Sequence, residues 1–288
     1  MGCGRTWTAA ALLCLAGIAP SKTAGQTTQT PPEVPTPPIP PVIVEVPGEV
    51  PAAVAPAGTP TRERTYRSMP LTGGEKELRA LFNPEQLALL EKLNRRDVPH
   101  LARAKTLVVP EEWLPDELLY SPLPLSWDWA AQHPKALVVH QPSQVFGAYE
   151  AGLLVRWGPV SSGREKNPTP AGLFHLNWRS KGRRSTDNPD WYMPWYYNFN
   201  TRRGLAFHQL ELPGRPASHA CIRLLERDAV WLYSWGQGWT LDESRRHVLT
   251  PGTPVLILET YDFAASPPWL SLDWLAAGIE LPVEPPKS

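Results

Sequence analysis

From Ser126 onward the chain is a series of short apolar segments separated by glycine and proline turns, and this pattern most limits the folds open to it. The segments of four to six residues that it predicts as strands are Ala136–Val139, Val145–Tyr149, Leu153–Trp157, Gly172–Asn177, Leu205–Gln209 and Val255–Glu259. Helical spacing recurs clearly only after residue 221. The sequence therefore predicts a mainly β domain over residues 126–262, a sandwich or a curled mixed sheet with one short helix.

The N-terminal quarter of the chain has a different composition. Arg5 precedes an apolar run over Ala9–Ile18 that is too short to span a bilayer, and small residues follow it. This pattern predicts a cleaved secretory signal within residues 1–25. Gly2 and Cys3 leave N-terminal lipidation as an alternative. Residues 26–61 are rich in proline and predict a semi-rigid linker, although a proline-motif ligand for a partner protein stays open.

Residues 62–125 predict a small, mostly helical module. Asn83 before Pro84, with Gln86 three residues after the cap, is a helix start, and leucines at helical spacing follow. The string over residues 107–110, Leu-Val-Val-Pro, resembles the end of a LysM-like glycan-binding repeat. A packing module without ligand is the alternative. Residues 263–288 are interpreted as a C-terminal tail.

Charge and cysteine content narrow the classes of function. The chain has no net charge, so it lacks the basic surface that nucleic-acid binding requires, and we expect no nucleic-acid partner. Removal of the signal would also remove Cys3 and Cys14, leaving Cys221 as the one thiol. A lone cysteine in an exported protein has no intramolecular disulfide partner. It is then either buried and inert or chemically necessary.

The surroundings of Cys221 favour a chemical role. His208 lies upstream, and Ser218, His219 and Ala220 lead directly into Cys221. Because helical spacing begins after Cys221, we expect this residue at or just before a helix N-terminus, where the helix dipole would favour its thiolate. A thiolate, a histidine base and backbone N–H groups suffice for acyl transfer. Zinc binding by the two histidines and Cys221 is an alternative without an evident fourth ligand.

This string resembles the active-site signature of the L,D-transpeptidases of the YkuD type, in which Ser/Thr-His-Gly-Cys is followed by Ile-Arg. The segments Ser161–Gly163 and Thr169–Phe174 resemble the hairpin motif of the same family, in the same order. The resemblance covers roughly residues 135–260. Ala220 departs from it, since glycine is usual there, and the interval from His208 to Cys221 is short.

The resemblance implies a role for each matching residue. Cys221 would be the nucleophile that attacks a stem tetrapeptide of peptidoglycan, and His208 would be the general base. His219 would line the oxyanion pocket or orient the base. Ser218, Ala220 and Arg223 would form the oxyanion turn, and Arg223 would hold the turn or meet a substrate carboxylate. No metal or other cofactor is implied.

The stretch between the hairpin and the catalytic strand is rich in aromatic and basic residues. The aromatic part predicts either core packing or a wall over the cleft, and the basic part predicts contacts with substrate carboxylates or a solvated loop. The candidate substrate-binding residues are Trp191, Trp195, Tyr196, Arg183 and Arg184.

These observations predict an exported, periplasmic or cell-envelope transpeptidase whose partners are peptidoglycan stem peptides, with no membrane span after signal cleavage. In one alternative, water resolves the thioester and the enzyme is an L,D-carboxypeptidase. In another, the protein binds peptidoglycan and is catalytically inactive. The sequence leaves the acceptor and the oligomeric state open.

Overall fold

The structure is a computed structural model that describes residues 64–185 and 188–284. The signal sequence and the linker predicted over residues 1–61 lie outside the described residues.

The described residues contain one large mixed β sheet of nine strands. Its strands, in chain order after the two N-terminal strands, are β3 (Lys135–His140), β4 (Val145–Glu150), β5 (Leu153–Ser161), β6 (Gly172–His175), β7 (Arg179–Arg184), β8 (Tyr192–Asn200), β9 (Leu205–Gln209), β10 (Ile222–Leu224) and β13 (Pro254–Leu258). The strand order is β6-β13-β3-β4-β5-β10-β9-β8-β7. Only the β13–β3 and β10–β9 pairs are parallel. The prediction of a mainly β fold with a curled mixed sheet is confirmed.

Both faces of the centre of this sheet are buried, which explains its nearly continuous apolar strands. In β3, Ala136 and Val138 belong to one apolar cluster, whereas Leu137 and Val139 belong to another on the opposite face. Side chains alternate between the two faces of a strand, so a strand covered on both sides is apolar at every position.

The N-terminal part folds as two antiparallel strands joined by helices. The strands are β1 (Tyr66–Pro70) and β2 (Thr106–Pro110), and the helices between them are α1 (Gly74–Leu81), α2 (Pro84–Asn94) and α3 (Val98–Leu101). The predicted start of α2 is confirmed, because the Asn83 side chain accepts from the Gln86 N–H and the Gln86 side chain accepts in return. Arg95 ends α2 in a left-handed conformation.

The other elements are short. They are α4 (Asp128–Ala131), α5 (Glu226–Trp235), α6 (Leu272–Ala277), β11 (Thr240–Leu241) and β12 (Val248–Thr250), with 3-10 turns at Glu117–Tyr120 and Pro268–Leu270. No helix in the described ranges is long and apolar enough to cross a membrane.

The N-terminal elements and the C-terminal segment share one core with the large sheet. The buried Arg95 side chain donates from Nε to the Ser143 carbonyl oxygen over 2.8 Å, at the turn between β3 and β4. Its guanidinium also lies 5.7 Å from the ring of buried Trp269. Trp127 Nε1 donates to the Pro282 carbonyl oxygen over 2.8 Å. Core packing therefore crosses the predicted boundaries at residues 125 and 262, and those boundaries remain predictions.

The aromatic and basic stretch interpreted as a wall or loop forms two strands. β7 and β8 pair antiparallel at the edge of the sheet, with Arg183 opposite Met193 and Arg184 opposite Tyr192. Extended backbone rather than a loop thus presents most of these side chains, although left-handed backbone at Trp195 interrupts the two-residue repeat within β8.

Candidate active site

Strand alternation brings Cys221, His208 and Arg223 to the same side of the sheet. β10 pairs parallel with β9, with Ile222 opposite Phe207 and Arg223 opposite His208. Ile222 and Phe207 are buried in an apolar cluster. Because side chains alternate between the two faces of a strand, His208 and Arg223 point to the face opposite Phe207 and Ile222. Cys221 lies two residues before Arg223 and points to the same face as Arg223. The three polar residues line one cavity of about 560 Å³.

The predicted placement of Cys221 at a helix N-terminus is wrong. Strand β10 intervenes, and α5 begins only at Glu226. The apolar-polar-apolar order over residues 222–224 suits a three-residue strand between β5 and β9, and this pairing overrides the helical spacing that starts nearby. Helix dipoles act within the first turn, so α5 does not explain activation of the Cys221 thiol.

Cys221 has polar neighbours instead. Its Sγ lies 4.0 Å from the Gly204 carbonyl oxygen. Burial lowers the pKa of Arg223, while Glu211 and, to a smaller extent, Cys221 raise it. Burial raises the pKa of Tyr196, and the charge of Cys221 adds to that rise. Cys221, Arg223 and Tyr196 all line the same cavity.

His208 is held as a neutral imidazole with a defined tautomer. Its side chain is buried, and burial lowers its pKa to about 4. Nδ1 lies 3.1 Å from the Gln209 carbonyl oxygen. A carbonyl oxygen only accepts hydrogen bonds, so Nδ1 carries the proton and Nε2 keeps its lone pair. His208 can therefore take a proton at Nε2.

His219 has the opposite tautomer. Its Nε2 contacts Nη2 of Arg164. A guanidinium only donates hydrogen bonds, so Nε2 of His219 accepts and Nδ1 carries the proton. The Trp191 ring lies against the imidazole, with centroids 4.4 Å apart. The two histidines thus differ in chemistry: His208 offers an acceptor at Nε2, whereas His219 offers a donor at Nδ1.

The hairpin motif holds the segment that leads into Cys221. The Ser162 carbonyl oxygen accepts from the backbone N–H groups of Ala217 and Ser218, over 3.1 and 3.0 Å. In return the Arg164 N–H donates to the Ser218 carbonyl oxygen over 3.0 Å. The Ser218 hydroxyl donates to the Cys221 carbonyl oxygen. Ser218 therefore orients the backbone of the turn.

Thr169 ties the same motif to Ala220. Its buried hydroxyl accepts from the Gly163 N–H over 2.8 Å and donates to the Ala220 carbonyl oxygen over 3.0 Å. A Cβ at Gly163 would lie 2.1 Å from the Asn167 carbonyl oxygen, so this close approach requires glycine. Ala220 is buried and has a φ of 76°. The position where the family usually has glycine is thus left-handed, and alanine is strained there.

Arg223 also supports this turn. Its Nη2 donates to the Ala217 carbonyl oxygen over 3.1 Å, and its Nη1 lies 3.8 Å from Glu211 Oε1. Of the two roles that the resemblance implies for Arg223, the structure shows the contact that holds the turn.

The predicted substrate-binding residues divide into two groups. Trp191, Tyr196 and Arg183 line the cavity, and the Arg183 guanidinium lies 5.6 Å from the Tyr196 ring. Trp195 and Arg184 do not line it. Trp195 packs against Tyr233, with centroids 5.5 Å apart, and Arg184 donates to the Pro189 carbonyl oxygen over 2.7 Å. Trp195 lies two residues after Met193, which lines the cavity, but its left-handed backbone, with φ of 55°, interrupts the strand alternation. The role of Trp195 and Arg184 in substrate binding remains a prediction.

Several cavity residues have no signal in the sequence. Arg203, Gly204 and Glu211 come from the β8–β9 turn and the segment after β9, and Arg164 contacts His219 from the hairpin motif. Turn and loop positions follow no strand or helix period, so no pattern indicated them. Within the described ranges, no group of three or more His, Cys, Asp or Glu side chains is arranged to hold a metal ion. The zinc alternative therefore has no ligand set there.

A mainly β domain that carries a cysteine and two histidines in one cavity is a candidate for thiol acyl transfer. Residues 134–257 match the family model of the YkuD L,D-transpeptidase catalytic domain. The predicted resemblance of this part of the chain to that family is confirmed.

Some solved structures have a distant likeness to part of this chain. An L,D-transpeptidase from Mycobacterium smegmatis is 18% identical, with 44% of this chain and 59% of that chain covered and a TM-score of 0.35. One from Mycobacterium tuberculosis H37Rv is 22% identical, with 44% and 58% covered and a TM-score of 0.35. One from Stackebrandtia nassauensis is 20% identical, with 45% and 58% covered and a TM-score of 0.36.

The chain thus spans under two thirds of the length of these structures. A search of curated protein sequences finds no match. The family assignment therefore rests on the domain match over residues 134–257 and the residues of the site.

Proposed function

We propose that this protein is an exported cysteine L,D-transpeptidase that acts on the stem tetrapeptides of peptidoglycan through a thioester at Cys221. The observation that carries the proposal is the placement of Cys221, His208 and His219 in one cavity of a YkuD-type domain. The two histidine tautomers supply an acceptor for the thiol proton and a donor for a developing oxyanion.

The first half-reaction follows from these groups. The Cys221 thiol proton moves to Nε2 of His208 as Sγ attacks the carbonyl carbon of the third stem residue, at the L-centre of diaminopimelate. The oxyanion receives hydrogen bonds from the backbone N–H groups of Ala220 and Cys221 and from Nδ1–H of His219. When the intermediate collapses, the bond to the terminal D-alanine breaks, and His208 returns its proton to the leaving amine. A thioester remains on Sγ.

The second half-reaction regenerates the thiol. A neutral amine of a second stem attacks the thioester carbonyl, and His208 takes the proton that the new amide loses. Collapse of this intermediate breaks the C–S bond, and the thiolate recovers a proton from His208. The product is a cross-link between two diaminopimelate residues.

Charge in the cavity fits a substrate that carries carboxylates. Arg183, Arg203 and Arg223 line it, against Asp190 and Glu211. Guanidinium groups bind carboxylates with two parallel hydrogen bonds, so these arginines are suited to orient the stem peptide.

The hydrolase alternative has one observation in its favour. Trp191 and Tyr192 on the cavity wall are 40% and 53% exposed, so water reaches the wall. If water instead of an amine resolves the thioester, the protein is an L,D-carboxypeptidase. The catalytically inactive alternative has no comparable support, since a binding module needs neither the thiol nor the two histidine tautomers. Export and envelope localisation rest on the N-terminal sequence.

Intact-mass measurement after exposure to a carbapenem tests the reactive thiol. We expect the mass of one acyl adduct on the protein and none on the Cys221→Ala variant. A folded protein that stays unmodified at high carbapenem concentration contradicts the proposal.

A tetrapeptide muropeptide, supplied with and without excess acceptor amine, then separates the two activities. We expect cross-linked dimer to dominate when acceptor is present. Tripeptide release that is fast and indifferent to acceptor identifies the hydrolase instead.

A further inference from the structure

A second groove is lined in part by residues 213–216, in the segment that leads into Cys221. Its volume is about 670 Å³. Four cationic side chains and one carboxylate line it, together with aromatic, glycine and proline residues: Arg96, Arg164, Lys166, Arg215, Glu165, Tyr261, Phe263, Pro213, Gly214, Pro216 and Pro267. We call it the basic groove.

Three of the four cations of the basic groove have no ion-pair partner among the residues that the structure describes. In the described part of the chain, no carboxylate lies within ion-pair distance of Arg96, Lys166 or Arg215. Burial lowers the pKa of Arg96, which is held against the backbone. A Cβ at Gly214 would lie 2.4 Å from Arg96 Nε, so glycine makes room for this guanidinium. Arg96 is thus a partly desolvated cation beside the exposed Lys166 and Arg215, and such a cluster of cations attracts an anionic ligand.

The basic groove and the catalytic cavity are neighbours. Arg164 lines the basic groove, and its guanidinium contacts His219 in the cavity. Burial is the main cause that lowers the pKa of Arg223, and the charges of Arg215 and Arg164 lower it further. The electric field of the basic groove therefore extends into the cavity.

This groove is not built by the family domain alone. Arg96 follows α2 in the N-terminal part, and Tyr261 and Phe263 lie after residue 257, so all three are outside the residues that match the family. The Tyr261 and Phe263 rings pack with centroids 5.0 Å apart, giving the groove an apolar side. Segments on both sides of the matched residues thus contribute to this groove.

We propose that the basic groove binds a carboxylate-rich peptide, namely the second stem peptide that supplies the acceptor amine. This proposal rests on the proposed function. Stem peptides carry several free carboxylates, and the four cations complement them, while the rings of Tyr261 and Phe263 cover aliphatic parts of the peptide. A peptide held there would contact Arg164, which itself contacts His219 in the catalytic cavity, so the two binding sites adjoin at this pair.

Binding to Cys221→Ala protein tests the groove without turnover. The probe is a soluble stem tetrapeptide with free carboxylates, titrated at low salt by calorimetry. The variant is Lys166→Gln/Arg215→Gln in the same background, since both side chains are exposed and their loss leaves the core intact. The matched control is Arg245→Gln/Arg246→Gln, which removes two exposed charges far along the chain on the β11–β12 turn.

We expect the groove variant to weaken tetrapeptide binding by about tenfold or more, as expected for the loss of charge-assisted hydrogen bonds. The control variant should bind the tetrapeptide with the same affinity as the Cys221→Ala protein. A tetrapeptide with amidated carboxylates should bind weakly to all three proteins. Equal affinity of the groove variant and the control overturns the proposal. Tighter binding of a soluble poly(glycerol phosphate) than of the tetrapeptide also overturns it, in favour of a phosphodiester polymer.

A separate experiment measures carbapenem acylation of the unsubstituted protein by intact-mass spectrometry. Absence of the adduct refutes the proposed function at Cys221. An adduct together with unaltered tetrapeptide binding in the groove variant refutes the basic groove alone.

Discussion

Replacing Thr169 by valine tests whether the hairpin motif holds the catalytic turn. The Thr169 hydroxyl is buried and serves two backbone groups, the Gly163 N–H at 2.8 Å and the Ala220 carbonyl oxygen at 3.0 Å. Valine has nearly the same shape, so it leaves both groups without a partner and creates no cavity. Each unsatisfied buried group costs about 1–3 kcal/mol, so we expect a loss of about 3 kcal/mol of unfolding free energy.

Thermal unfolding measures this loss. For a folded part of this size, 1 kcal/mol corresponds to about 2–4 °C in Tm, so Thr169→Val should lower Tm by about 6–12 °C. Thr169→Ser keeps the hydroxyl and loses one methyl group, which costs about 1 kcal/mol. The rate at which iodoacetamide alkylates Cys221 at fixed pH should differ from that of the parent protein more in the valine variant than in the serine variant. If the two variants have the same Tm, the two hydrogen bonds do not stabilise the turn.

Three further predictions concern the same site. Ala220→Gly should change stability by no more than about 1 kcal/mol, because relief of the left-handed strain offsets a lost buried methyl group and glycine's chain entropy, whereas Ala220→Val should lower Tm strongly. Trp191→Ala should reduce turnover with little effect on Tm, whereas Trp195→Ala should mainly reduce Tm. Because the folded pKa of His208 is about 4 and an unfolded histidine titrates near 6.5, the unfolded state binds the extra proton between these values. The free energy of unfolding is therefore highest above about pH 6.5 and falls by roughly 3 kcal/mol as the pH is lowered towards 4. The measurement compares Tm at pH 7 and pH 4.5, and His208→Gln should lack this part of the decrease.

The sequence predicted the elements that have a strong local signal. Strands such as β3 and β13 are apolar at every position, and the cap at Asn83 satisfies its own backbone groups, so both follow from residues close in the chain. The family motif likewise predicted which residues gather around Cys221. These features need no knowledge of distant contacts.

The remaining features depend on pairing between distant segments. β10 has three residues, too few to show a period, and it is a strand because β5 and β9 lie on either side of it. β7 is rich in arginine and lysine and extends only because β8 pairs with it at the sheet edge. The left-handed backbone at Trp195, with φ of 55°, likewise has no signal in the residue type.

These differences change how Cys221 is activated. The structure gives it no helix N-terminus, and burial holds the pKa of His208 at about 4. For an ordinary thiol of pKa about 8.5, transfer of its proton to such a histidine costs roughly 6 kcal/mol, so a resting thiolate–imidazolium pair is disfavoured. His208 then takes the proton during attack, when the oxyanion's hydrogen bonds offset that cost.

Iodoacetamide alkylation of Cys221 against pH distinguishes the two modes of activation. We expect the rate to fall continuously on acidification, with no plateau below pH 6. His208→Gln should abolish turnover while leaving the shape of this alkylation profile nearly unchanged, because His208 is not charged at rest. A plateau that extends below pH 6 in the parent and disappears in His208→Gln identifies a preformed ion pair and refutes this account of the burial of His208.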